Sequence, residues 1–95
     1  MTAPTRTLSR TVTIVNALGL HARSAARVAT IAGKASGSVW IESGKERVDA
    51  SSIIDMLSLG CAQGTRVQVV IEATDDSGVL EDIVSLIQSG FGEPS

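Results

Sequence analysis

The chain has 95 residues, a net charge of −2 at pH 7 and a hydrophobic content of 43%, which together indicate one small globular domain. The absence of a basic run and an aromatic content of 2% argue against nucleic-acid binding. Cys61 and one histidine provide neither a disulfide nor a metal-ligand cluster, and there is no membrane-length apolar run or secretory signal, so we expect a cytoplasmic protein without metal or cofactor.

Apolar and polar residues alternate with a period of two in four segments, which is typical of strands. The predicted strands cover residues 10–16, 38–42, 46–50 and 66–73. The preceding residues, 1–9, are predicted to be a flexible N-terminal extension, and residues 10–93 a single domain.

Helical spacing of apolar residues predicts three helices between these strands. The first begins beyond His21 and ends at Gly33. A short second helix is capped by Ser51 or Ser52, and a final helix is capped by Asp75 or Asp76. The order predicts an α+β fold with a four-stranded, mainly antiparallel sheet and helices on one face.

The only histidine of the chain, His21, lies at the predicted start of the first helix, and Arg23 follows in the first turn. Backbone N–H groups at a helix N-terminus favour a bound anion. An arginine there is unfavourable by roughly 0.3–1 kcal/mol, whereas each charge-assisted hydrogen bond to a phosphate contributes about 1.5–3 kcal/mol. The stretch therefore fits phosphoryl chemistry at His21, although a lone histidine near a helix start is more often a simple cap or a surface residue.

The segment Gly19-Leu20-His21-Ala22-Arg23-Ser24-Ala25 resembles the active-site motif Gly-(Leu or Ile)-His-Ala-Arg-Pro-Ala of the HPr family. This family comprises the phosphocarriers of the bacterial phosphoenolpyruvate-dependent sugar phosphotransferase system. Residues 52–60 are similar to the family's second conserved helix, Ser-Ile-(x)3-(Met or Leu)-Ser-Leu-Gly. The resemblance covers residues 10–93 and implies the HPr fold, an open-faced β-sandwich.

The resemblance implies that His21 accepts a phosphoryl group on Nδ1 from phosphorylated enzyme I. His21 would then pass the group to a histidine of an A-type permease component. Arg23 would stabilise the group in transit, and Gly19, Ala22 and Ser24 would form the turn that binds phosphate. The protein would be a monomeric carrier and a substrate of other enzymes, with no catalytic activity of its own.

Two further roles follow from the same resemblance. Ser52 aligns with the serine that HPr kinase/phosphorylase modifies in many relatives, although it would also act as a simple helix cap. Six residues are expected to dock partner proteins: Leu20, Arg27, Ile53, Ile54, Met56 and Leu57.

One departure from the motif leaves two alternatives open. Ser24 stands where the family has proline, which predicts a slightly less rigid but competent site. A regulatory paralogue in a non-sugar phosphotransfer branch would share the chemistry of His21. A ferredoxin-like domain that binds a small molecule would have a similar order of elements and would make His21 incidental.

Overall fold

The computed structural model describes residues 7–93, which form four strands and three helices. Their order is β1 (Leu8–Thr13), α1 (Ala22–Ala32), β2 (Val39–Ser43), β3 (Glu46–Asp49), α2 (Ile53–Ser58), β4 (Arg66–Ile71) and α3 (Ser77–Gln88). Single turns of 3₁₀ helix lie at Thr74–Asp76 and Gly90–Gly92.

The sheet has the order β1-β4-β2-β3, and every neighbouring pair is antiparallel. α3 packs across β1 and β4, and α1 packs against both α2 and α3. The alternate residues of each central strand face these helices and form one apolar core with them. The predicted α+β architecture is therefore confirmed.

The opposite face of the sheet carries polar side chains that are exposed to solvent: Thr11, Thr13, Arg66 and Gln68. Trp40 also lies on this face, because its neighbours Val39 and Ile41 are buried in the core. Its indole Nε1 donates a hydrogen bond to Oε1 of Glu72 at 3.0 Å, and the guanidinium of Arg47 lies 5.4 Å from the ring centroid.

The first strand begins earlier than predicted. Leu8 pairs with Ile71 and Ser9 with Val70, so these two residues belong to the sheet and not to the predicted extension. The rest of that extension, residues 1–6, lies outside the described residues. The strand also ends earlier than predicted, at Thr13. The next residue, Ile14, donates its backbone N–H to the carbonyl of Thr65, in the turn before β4, at 2.9 Å.

Cys61 follows α2 and is 4% exposed. Burial raises the pKa of its thiol, which disfavours the reactive thiolate. The interpretation of Cys61 as a small buried apolar residue is confirmed. Within residues 7–93, no helix combines the length and the apolar character that crossing a membrane requires.

Asp76 lies at the predicted N-cap of α3, but its side chain does not cap the helix. Its Oδ1 accepts hydrogen bonds from the Ser36 backbone N–H at 2.9 Å and from the Ser36 hydroxyl at 3.1 Å. Its Oδ2 accepts the Gly37 N–H at 2.8 Å. These bonds join the loop after α1 to the start of α3, and they lower the pKa of the Asp76 carboxyl, the Ser36 N–H most strongly.

We expect Asp76→Asn to destabilise the protein at neutral pH, because an amide cannot accept three hydrogen bonds from donors on both of its sides. A carboxyl whose pKa is lowered by folding stabilises the protein above its ordinary pKa and loses this effect as the pH falls through the lowered value. The decrease in the urea midpoint of unfolding caused by Asp76→Asn should therefore be larger at neutral pH than at about pH 3. Asp75→Asn, at the exposed neighbouring carboxylate, is the matched control. Equal losses at both pH values would contradict the assignment.

Candidate functional site

A tight turn immediately precedes His21 and places it at the start of α1. The Gly19 N–H donates to the Asn16 carbonyl at 3.1 Å, and the Leu20 N–H donates to the Cys61 carbonyl at 2.9 Å. Gly19 has a φ of +68°, and a Cβ atom there would overlap the Cys61 carbonyl oxygen and lie 3.0 Å from the Cα atom of Ala62. Only glycine fits this position without a shift of the backbone.

His21 is the N-cap of α1, as predicted, with an extended backbone at φ −121° and ψ −177°. Ser24 holds this cap: its Oγ accepts the His21 N–H at 2.9 Å and donates to the His21 carbonyl at 3.1 Å. The hydroxyl is buried and points away from solvent. Ser24 therefore constrains the turn by hydrogen bonds that a proline could not form.

The imidazole of His21 contacts a carboxylate from the far end of the chain. Its Nε2 lies 2.6 Å from Oε2 of Glu93. The other oxygen of Glu93, Oε1, accepts a hydrogen bond from Nδ2 of Asn16 at 2.9 Å, and the same Nδ2 donates to the Gly19 carbonyl at 2.8 Å. The side chains of His21 and Glu93 are 28% and 12% exposed, so the pair is partly shielded from water but still accessible.

The turn Gly90–Gly92 directs the side chain of Glu93 towards His21. Phe91 has a φ of +58°, which costs a non-glycine residue roughly 1–3 kcal/mol. Its ring is completely buried, which contributes about 1.5–3 kcal/mol. Nη1 of Arg27 also donates a hydrogen bond to the Phe91 carbonyl. Burial and this bond together offset the strained backbone.

A depression of about 550 Å³ lies beside the imidazole, lined by Leu18, His21, Ala22, Arg23 and Glu93. Arg23 is exposed at its rim, and among residues 7–93 its guanidinium forms no hydrogen bond or ion pair. The pKa of Glu93 is lowered, mainly by the hydrogen bond from Asn16 and further by His21 and the charge of Arg23. The depression thus combines a ring nitrogen, a cation and a helix N-terminus.

Comparisons with known proteins agree with this geometry. A family model described as "PTS HPr component phosphorylation site" matches residues 8–89. The chain belongs to the HPr family of phosphocarrier proteins of the phosphotransferase system.

The phosphocarrier HPr of Cupriavidus necator is 34% identical over 86 residues, which are 90% of this chain and 97% of that protein. The phosphocarrier NPr of Shewanella violacea is 33% identical over 93% of this chain and 97% of its own length. The crystal structure of HPr from Thermoanaerobacter tengcongensis superposes with a TM-score of 0.86 at 39% identity, over 93% of this chain and 99% of that one. The alternative of a ferredoxin-like ligand-binding domain is therefore wrong.

The HPr motif divides into residues that line the depression and residues that support it. His21, Ala22 and Arg23 are at the surface. Gly19 and Ser24, which were expected to bind phosphate, are buried behind them. The Gly19 N–H and the Ser24 hydroxyl already bond the turn, so these two residues shape the site and do not face a ligand.

One of the expected docking residues, Met56, is corrected by the structure. Met56 is completely buried between α2 and the core, so it cannot contact a partner. Arg27 is exposed, and Nη1 of its guanidinium donates to the Phe91 carbonyl, so its role in docking stays a prediction. Leu20 is half-buried.

The other expected docking residues are exposed. Ile53, Ile54 and Leu57 are 38%, 79% and 39% exposed, and Leu18 is 72% exposed. We call Leu18, Ile53, Ile54 and Leu57 the apolar patch.

Ser52 is the N-cap of α2, as predicted, and its Oγ accepts the Asp55 N–H at 3.2 Å.

The contacts of Asn16 and Glu93 were not predicted from the sequence. The glycines on both sides of Phe91 are a turn signal that indicates a change of chain direction before Glu93. That signal does not reveal the target of the turn, because the target is 72 residues away.

We expect Gly19→Ala to destabilise the protein by about 3 kcal/mol, because it combines a positive φ with overpacking against backbone. Gly44→Ala is the matched control: its φ is +60°, but no atom lies within 4 Å of the added Cβ. The control should lose only about 1 kcal/mol. Urea unfolding of both variants measures the difference, and equal losses would contradict the close contact with Cys61.

Proposed function

We propose that this protein carries a phosphoryl group on His21 from phosphorylated enzyme I to a histidine of an A-type permease component of the sugar phosphotransferase system. The observation that supports this most directly is the accessible imidazole at the N-terminus of α1, beside an exposed arginine that no residue in 7–93 binds. A group that must be reached by a donor and then by an acceptor has to lie in a shallow, open site of this kind.

The arrangement suits a transferable phosphoryl group. The N–H groups of Ala22 and Arg23 lie in the first turn, where helix geometry provides no intrahelical acceptor, so they favour phosphoryl oxygens in front of them. The Arg23 guanidinium supplies a positive charge from the rim of the depression. These groups stabilise the charge of the moving group without enclosing it, so a second protein can remove it.

The apolar patch is the proposed docking surface for these partners. It presents large exposed aliphatic side chains on α2 and on the turn before His21. The Leu20 N–H bonds the Cys61 carbonyl just beyond α2, which brings the turn and this helix together, and exposed apolar surface of this kind marks protein interaction sites. Docking there would bring a partner's histidine towards the depression, because Leu18 belongs both to the patch and to the lining of the depression. We expect the protein itself to act as a monomer.

We also propose that Ser52 is a regulatory site for an HPr kinase/phosphorylase. Ser52 immediately precedes Ile53 and Ile54 of the patch, and its hydroxyl is partly accessible at the start of α2. A phosphate there would add about −1.5 to −2 charges beside an apolar docking surface. It would weaken binding of partners that approach with a phosphorylated or acidic surface.

A carrier for a non-sugar branch of the phosphotransferase system is the second candidate. The identity to NPr, at 33%, is close to the 34% identity to HPr of Cupriavidus necator, and Ser24 departs from the usual proline of the motif. Such a protein would accept the group on His21 but would transfer it poorly to sugar-specific components. The rate of transfer to an A-type sugar component distinguishes the two candidates.

The test is incubation with phosphoenolpyruvate, magnesium and enzyme I from the same organism, followed by mass spectrometry of the intact protein. We expect an acid-labile gain of one phosphoryl group in the parent and none in His21→Ala. The protein must be shown to be folded by circular dichroism. A folded parent that gains no mass from its own enzyme I would contradict the proposed function.

We expect Arg23→Ala to slow this phosphorylation by about 10- to 150-fold, the equivalent of one charge-assisted hydrogen bond of about 1.5–3 kcal/mol. Arg66→Ala, an exposed arginine on the open face of the sheet, is the matched control and should react at the parent rate. Single-turnover kinetics with phosphorylated enzyme I gives both rates. An Arg23→Ala rate equal to that of the control would exclude a role for Arg23 in transfer.

A further inference from the structure

We propose that Glu93 is a positioning residue, which holds the proton of the neutral His21 ring on Nε2 and leaves the Nδ1 lone pair available to the phosphoryl donor. The position of the proton in the neutral ring follows from the contacts of the unphosphorylated protein. Its consequence for transfer rests on the proposed function.

The Asn16 amide sets the direction of the hydrogen bonds at this site. Nδ2 lies within hydrogen-bond distance of two acceptors, the Gly19 carbonyl and the Glu93 carboxylate, and only the NH2 group of an amide can donate to both. The reversed amide would place its oxygen against the Gly19 carbonyl oxygen. The orientation of Asn16 is therefore fixed, even though it leaves Oδ1 buried without a partner among residues 7–93.

Glu93 is an acceptor on both of its oxygens. The bond from Asn16 lowers the pKa of the carboxyl, so the group is ionised at neutral pH. An ionised carboxylate has no proton to donate. The 2.6 Å contact between Oε2 of Glu93 and Nε2 of His21 is a hydrogen bond only if Nε2 carries the proton. In the neutral ring, Nδ1 is then the unprotonated nitrogen.

The transfer step balances with this proton in place. The Nδ1 lone pair forms the new N–P bond as the N–P bond of the donor phosphohistidine breaks, and that electron pair returns to the donor ring nitrogen. The group that moves is equivalent to PO3⁻, and no proton is exchanged at His21. The His21 ring becomes cationic, with the proton still on Nε2, and the Glu93 carboxylate neutralises this charge. In hydrolytic triads a carboxylate has the equivalent role with the two ring nitrogens exchanged, since it binds Nδ1–H and leaves Nε2 to react.

Glu93→Gln provides a direct test, because the substitution keeps the shape of the side chain and exchanges the donor and the acceptor in its hydrogen bond with Nε2 of His21. The donating Nδ2 of Asn16 would select the oxygen of the introduced amide, so the NH2 group of that amide would face Nε2 of His21. Nε2 would then have to be the acceptor, and the ring proton would move to Nδ1. Glu93→Ala removes the carboxylate without imposing the opposite tautomer.

The first measurement is a long-range ¹H–¹⁵N spectrum of the protein labelled with ¹⁵N-histidine, without a histidine tag, at a pH at which the ring is neutral. His21 is the only histidine of the chain, so the spectrum reports one ring. We expect a protonated Nε2 and an unprotonated Nδ1 in the parent and the reverse pattern in Glu93→Gln. A parent ring with its proton on Nδ1 would overturn the proposal.

The second measurement is the single-turnover rate of phosphorylation by enzyme I. We expect a loss of about 100-fold or more in Glu93→Gln and of about tenfold or less in Glu93→Ala, because only the amide blocks Nδ1. Glu81→Gln, at the exposed ion pair with Arg10, is the matched control and should react at the parent rate. Equal rates in the parent and Glu93→Gln would overturn the proposal, as would a larger loss in Glu93→Ala than in Glu93→Gln.

The two measurements also separate this inference from the proposed function. If the parent has its proton on Nε2 but accepts no phosphoryl group from its own enzyme I, the positioning by Glu93 stands and the carrier function fails. If the parent is phosphorylated but its ring carries the proton on Nδ1, the carrier function stands and the role of Glu93 is wrong.

Discussion

The hydrogen bond between Nε2 of His21 and the Glu93 carboxylate links the start of α1 to the last residue that the structure describes. It depends on a strained left-handed Phe91, on the burial of that ring and on Arg27, which reaches the Phe91 carbonyl from the next turns of α1. The same helix therefore provides both the histidine and the arginine that places the partner of the histidine. The position of Glu93 therefore depends on the packing of α1 against α3.

A carrier has to stabilise a phosphoryl group and still release it. In the proposed function, the site around His21 would serve both requirements. Ser24 holds the backbone of His21 and Glu93 holds its imidazole, whereas Arg23 lies exposed at the rim. A fixed nucleophile lowers the entropic cost of transfer. An exposed cation and an open depression would keep the group accessible to the histidine of a partner.

The sequence was sufficient for what depends on local spacing. The four strands, the three helices, the N-caps His21 and Ser52 and the buried Cys61 follow from periodicity and from capping chemistry within a few residues. Met56 was misassigned because the three apolar residues of a short helix turn share one face, and periodicity does not show how deep each lies. The bonds of Asp76 to the loop after α1 cross 39 and 40 residues, and that of Glu93 crosses 72, so no local pattern encodes them.

If the contacts of Glu93 govern the chemistry of the site, the chain presents one defined nitrogen of His21 to phosphoryl donors. The measurement that tests this most directly is the site of phosphorylation on the ring. In protein labelled with ¹⁵N-histidine and phosphorylated by enzyme I, coupling between ³¹P and ¹⁵N identifies the bonded nitrogen. We predict coupling to Nδ1, with Nε2 still protonated. Coupling to Nε2 would contradict the role of Glu93, because that nitrogen would have had to leave the carboxylate before reacting.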